Sequence, residues 1–255
     1  MQQSVITRAF FRRSGPAASA VLLLLGLGVA GAQEKPATPT APAITPVAPT
    51  PVAVPPAPVP IERLPNGDIR LGVITLHRKE RVLSFPATVN MNTNMIMEML
   101  IATPEGRLHE SLLKTEARPI HLQTMLYLLD LKNGPRVPDA KGNQGDLVDI
   151  DIEWAKADGT KVVEPAENFV WNNKAETVMK RSGWVFVGTT ISNGVSQADS
   201  EGNIAISWAV GNSILDLAGP EADVDDLFNI NVKHTDPPLG TPVRVIITPR
   251  KAVKP

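Results

Sequence analysis

Val148-Asp149-Ile150-Asp151-Ile152-Glu153-Trp154 alternates apolar and acidic side chains without a break. Successive side chains of a strand point to opposite faces. This period of two therefore buries Val148, Ile150, Ile152 and Trp154 and turns Asp149, Asp151 and Glu153 outward. Asp158-Gly159 supplies a hairpin turn into a partner strand over 160–164. The pattern recurs over 242–248, where Val243, Val245 and Ile247 share a face. Further strands are expected at 95–102, 183–190 and 203–210, with short helical turns at 165–172 and 213–217. A first hairpin is expected from 69–76 and 82–85, bent or ended at Pro86, which lacks a ladder donor, unless that strand is an edge.

One helix interrupts the strands. Over 117–132, Leu122, Met125, Leu126 and Leu129 follow helical spacing, Pro119 suits the first turn, and Asn133-Gly134-Pro135 ends the run. Leu128 and Leu131 widen the apolar arc, so the helix should be well buried. The fold expected is mainly β (α+β): an antiparallel β-sandwich or open barrel with one buried helix packed on it.

The chain outside this domain reads differently. Arg8, Arg12 and Arg13 precede an apolar stretch over 17–29, and Ala30-Gly31-Ala32 has the small residues a signal peptidase reads. The apolar stretch falls short of the roughly 18–20 residues of a spanning helix, so residues 1–32 read as a cleaved signal peptide. Export to the periplasm or the outside follows, with membrane attachment only through an uncleaved N-terminus. Residues 34–60 contain ten prolines in 27 positions and no charge beyond Lys35. Such a segment builds neither helix nor inner strand, and 33–62 reads as an extended tether with a reach on the order of 80 Å. The single globular domain is then 63–255.

Composition excludes several chemistries. There is no cysteine, hence no disulfide, thiolate zinc site, iron–sulfur cluster or cysteine nucleophile. Without residues 1–32 the chain has 22 basic and 26 acidic side chains, a net charge of −4. That balance argues against nucleic acid as a partner.

The segment 109–121 gathers two of the four histidines. His109, Glu110, Ser111 and His121 form the candidate ligand-binding set, and His109, Glu110 and His121 could hold zinc or another divalent metal. Chain return after the turn Thr103-Pro104-Glu105-Gly106 places 107–114 on a strand. Alternation then sets His109 and Ser111 on one face and Glu110 on the other. Ser111 lacks a nucleophile elbow, and no aspartate is spaced to orient a histidine. His77 and His234, beside charged or turn residues, take no role in this reading. The acidic row 149–153 and the acids at Asp223, Asp225 and Asp226 read as solvated faces. Of the four tryptophans, Trp171 is the one expected at the surface, and Trp154 and Trp208 sit at core-like positions.

Several motifs together resemble the YdjY-type domain of exported bacterial proteins. They are Thr103-Pro104-Glu105-Gly106, His109-Glu110-Ser111-Leu112-Leu113, Pro119 with His121-Leu122, and Pro165-Ala166-Glu167-Asn168. Trp184-Val185-Phe186-Val187-Gly188-Thr189, Asp199-Ser200-Glu201-Gly202-Asn203, residues 223–228 and Pro238-Leu239-Gly240-Thr241-Pro242-Val243 complete the set. The resemblance spans most of 63–249. It implies export but brings no biochemical activity with it. Some relatives are described as ferredoxin-like with cysteine-rich iron–sulfur segments, a role that a chain without cysteine cannot take.

The function expected is a non-enzymatic, exported binding or accessory module of the cell envelope, without a required cofactor. Its partner would be an envelope component or another exported protein. The alternatives are a metal-dependent envelope hydrolase using His109, Glu110 and His121, and a purely structural envelope domain.

Overall fold

The computed structural model describes residues 59–250 apart from Val210. The expected signal peptide, and the tether up to residue 58, lie outside the described residues. β1 (Ile61–Arg63), β2 (Ile69–Leu71), β3 (Ile74–His77) and β4 (Val82–Val89) form an antiparallel meander. The expected first strand is thus two strands, folded back at Gly72-Val73. β5 (Met99–Ala102) and β6 (Ser111–Lys114) follow, then α1 (Pro119–Leu128). The alternating stretch forms β7 (Leu147–Ala155), hairpinned to β8 (Lys161–Pro165). Val148, Ile150, Ile152 and Trp154 are all buried, as their spacing predicts.

Next come β9 (Val170–Asn172), β10 (Thr177–Val178), β11 (Trp184–Phe186) and a small hairpin of β12 (Ile191–Ser192) and β13 (Val195–Ser196). α2 (Gln197–Glu201), β14 (Asn203–Ile206), β15 (Leu215–Leu217), β16 (Phe228–Ile230) and β17 (Pro242–Pro249) complete the order.

Eight strands close on themselves in the order β4-β17-β7-β11-β15-β14-β5-β6 and back to β4. This corrects the antiparallel sandwich and open barrel of the sequence reading to a closed, mixed barrel. The length of β4 makes closure possible. Its first half pairs with β3 at Thr75↔Ser84, and its far end pairs with β6 at Thr88↔Lys114 and Val89↔Leu113. Pro86 neither bends nor ends the strand. It falls in the gap between those two partners, where its missing N–H is not needed, and its carbonyl accepts from Thr115 Oγ1 at 2.6 Å.

Two pairings are parallel, β5 with β6 and β14 with β15. The first replaces the expected hairpin return. After the Thr103–Gly106 turn the chain makes a 3₁₀ turn over Leu108–Glu110 and re-enters beside β5, with Met99↔Ser111 and Ile101↔Leu113 in register. The second replaces the helical turn expected at 213–217. Leu215 and Leu217 are both buried, with Asp216 between them on the other face, which is a strand pattern.

α1 is shorter than its periodic stretch. Leu122, Met125, Leu126 and Leu129 are buried, but Leu128 is 43% exposed, so the apolar arc is narrower than expected. Its first turn has no cap of its own, and Asp199 of α2 accepts the Ile120 N–H at 2.8 Å instead. The acidic row of β7 is not simply solvated. Arg181 reaches Asp149 and Asp151, Arg250 reaches Asp149, and Arg244, opposite in β17, reaches Glu153.

Candidate functional site

The turn before β6 is set by backbone contacts that a sequence pattern does not display. Gly106 lies against Gly202, whose carbonyl accepts the Thr103 N–H at 2.9 Å. A Cβ built on Gly202, at φ +70°, would come within 2.2 Å of the Gly106 nitrogen. Both positions need glycine for close approach. The 3₁₀ turn is then held by Asn90, whose Nδ2 donates to Leu108 O at 2.6 Å and Ser111 O at 2.9 Å. The Glu98 N–H donates to Glu110 O at 3.2 Å, docking the turn onto the entry to β5.

That docking gathers charge. Arg107 Nη1 donates to Glu98 and, at 3.2 Å, to Glu110 Oε2. His109 Nε2 lies 3.3 Å from Glu110 Oε1, with 71% of its side chain exposed. The 3₁₀ turn removes the strand alternation at 108–110, so His109 and Glu110 are neighbours rather than residues on opposite faces. Glu98 is 7% exposed. Burial, followed by the adjacent Glu110, pushes its carboxyl up to about 7 against the opposing pull of Arg107. Glu98 also shares a cluster with Asp225 and Asp226, with one carboxylate oxygen from each within 4.8 Å of the others.

The remaining expected site residues lie elsewhere. Ser111 is fully buried, and its Oγ donates to Leu113 O at 2.8 Å. His121 sits in α1, at the opposite end of β6 from His109. It packs over Gly72, where a Cβ would stand 2.9 Å from its Nδ1. Its pKa is lowered by burial and then by Arg118, with Asp199 opposing. His109, Glu110 and His121 do not come together as one metal site. Among the described residues the group with metal-ligand spacing is Glu98, Asp225 and Asp226. Those oxygens suit a hard cation better than zinc.

The profile of the YdjY domain matches residues 74–248. The chain belongs to the YdjY domain family. The match runs from β3 to β17 and so takes in the whole barrel and the Glu98–Arg107–Glu110 cluster of this YdjY domain. No curated protein and no solved structure matched the chain.

Sequence reasoning missed Glu98 and Arg107. The signal was present: Glu98 is the single charge in the apolar run 95–102, and a lone carboxylate in a buried strand needs a partner. Asp225 and Asp226 are exposed, as the sequence reading expects, and they also approach that carboxylate. The tryptophans of the YdjY domain do not form one groove. Trp154 and Trp184 are buried, and Trp184 Nε1 donates to the buried Glu167 at 3.1 Å. Trp171 lies half-buried beneath Lys233, whose Nζ is 3.9 Å from the ring centroid. No helix among the described residues is long and apolar enough to cross a membrane.

Proposed function

We propose that this YdjY-domain protein is an exported binding module of the cell envelope, held on a proline-rich tether, and that the turn at 107–111 recognises its partner without transforming it. The partner is an envelope component or another exported protein. The observation that carries this reading is the locked state of the turn. Arg107 is committed to Glu98 and Glu110, and Ser111 is sealed inward, while His109 stands 71% exposed beside Glu110. The principal clefts are lined by other residues. A rigid, charged and exposed edge suits recognition, because its side chains lose little freedom on binding.

Export is supported by the basic, apolar and small-residue segments of 1–32. The test combines both parts. N-terminal sequencing of the protein from its native cell should find Gln33 first. The mature chain should capture one discrete envelope component, and His109→Ala combined with Glu110→Lys should lose it while keeping the wild-type circular dichroism. An unprocessed cytoplasmic chain, or undiminished capture by the double variant, would overturn the reading.

A second reading rests on the spacing of Glu98, Asp225 and Asp226. These carboxylates with Glu110 would hold a divalent cation that ties the 223–228 loop to the turn. Calcium titration by calorimetry, followed by elemental analysis after dialysis, decides it. Less than about a tenth of an equivalent bound at millimolar calcium, the weak end of protein calcium sites, excludes this reading.

A further inference from the structure

Asp68, His77 and Ser84 form a continuous hydrogen-bonded row across the outward face of the β2–β3–β4 meander. His77 Nδ1 lies 3.0 Å from Asp68 Oδ2, and His77 Nε2 lies 2.8 Å from Ser84 Oγ. Asp68 is itself fixed. Its carboxylate accepts from the Arg78 N–H at 3.2 Å and from Asn66 Nδ2 at 2.8 Å. Sequence spacing pointed to no aspartate for any histidine, because this row depends on strand register. Asp68 precedes the pair Ile69↔Leu76 and so stands opposite His77, and His77↔Val82 brings Ser84 to the diagonal position.

A carboxylate on Nδ1 fixes the tautomer with Nε2 unprotonated, and Nε2 then accepts the serine proton. Thr75 stands directly across from Ser84, and Arg70 across from Thr75, in one cross-strand row. Directly paired residues have Cβ atoms about 4.5–5.5 Å apart, so register sets Thr75 beside Ser84 on the same face. Ser84 is 6% exposed and lies mid-strand. Only a small electrophile can reach its oxygen.

We propose that Ser84 is a nucleophile activated by His77, positioned through Asp68, and that it hydrolyses small acyl esters of the acetyl type. Ser84 Oγ attacks the carbonyl carbon as its proton passes to His77 Nε2. The ester C–O bond breaks, and the departing alcohol takes that proton. Water, deprotonated by the same nitrogen, then attacks the acyl-serine and releases the carboxylic acid and free Ser84. This activity goes beyond the recognition role of 107–111 and does not depend on it.

The test uses the full chain. Incubation with methanesulfonyl fluoride, a serine-directed electrophile of acetyl size, should yield a single adduct, mapped by mass spectrometry of the digest to Ser84. Hydrolysis of p-nitrophenyl acetate should exceed that of p-nitrophenyl octanoate. Ser84→Ala should abolish both adduct and turnover, and Asp68→Asn and His77→Ala should slow acetate turnover by about a hundredfold or more. Ser192→Ala, on the distant β12–β13 hairpin, should change neither. Absence of an adduct at Ser84, or equal turnover by a folded Ser84→Ala protein, would overturn the proposal. If His77→Ala fails to fold, the near-isosteric Asp68→Asn with Ser84→Ala still decides.

Discussion

Glu98 and Glu110 are joined through one nitrogen, Arg107 Nη1, which donates to both carboxylates. One guanidinium therefore anchors a buried acid in the entry to β5 and a half-buried acid in the 3₁₀ turn. Charge and backbone act together here, since the Glu98 N–H also bonds the Glu110 carbonyl.

Loss of Arg107 strands a buried carboxylate. Removing one partner of a fully buried ion pair costs about 3–5 kcal/mol, and the 40% exposure of Arg107 lowers this to about 2 kcal/mol for Arg107→Ala. Urea denaturation at pH 7.5 checks it. The deficit should shrink at pH 5, where Glu98 is protonated and no longer needs a cation.

Glu98 also sets a pH dependence. Its carboxyl titrates at about 7 in the folded protein against an ordinary value of 4.5. The folded state thus holds the proton more tightly. The stabilisation from this group is fully present below about pH 4.5 and is lost as pH rises through about 7. Glu98→Gln should flatten that part of the stability profile, measured as urea midpoints between pH 4.5 and 8. An unchanged slope in the variant would contradict the assignment.

The crossing of Gly106 and Gly202 predicts a sharp effect. Gly202→Ala places a methyl 2.2 Å from the Gly106 nitrogen and strains a residue at φ +70°. Backbone must move, and a loss of at least about 3 kcal/mol follows. For a domain of this size that is a fall in Tm of about 6 °C or more, readable by calorimetry. Gly159→Ala, at φ +83° but with nothing within 4 Å of its Cβ, should cost only the backbone strain, about 1–2 kcal/mol.

Much of the barrel was legible in the chain. β7 alternates without a break over 148–154 and β17 sets Val243, Val245 and Ile247 on one face, and burial of Val148, Ile150, Val243 and Val245 follows from it. The parallel entry of β6 was not legible. A turn such as Thr103-Pro104-Glu105-Gly106 suits a hairpin locally, and the Asn90 staple and the Glu98–Arg107 pair that redirect the chain come from elsewhere in the fold. Leu215-Asp216-Leu217 is too short for its period to separate strand from turn. At the site, the neighbouring His109 and Glu110 were visible as a motif, but their relation needed the 3₁₀ turn. Glu98, Asp225 and Asp226 converge across more than a hundred residues, a proximity no local pattern encodes. Asp68, His77 and Ser84 meet through register alone.

Recognition by the 107–111 turn is tested most directly at His109, the exposed member of the cluster. His109→benzoylphenylalanine, introduced into the full chain in its native cell and irradiated, should give one discrete crosslinked adduct with an envelope component. The same substitution at Tyr127, on the outer side of α1, should not give that adduct. No adduct at position 109, or the same adduct from both positions, would contradict recognition through this turn.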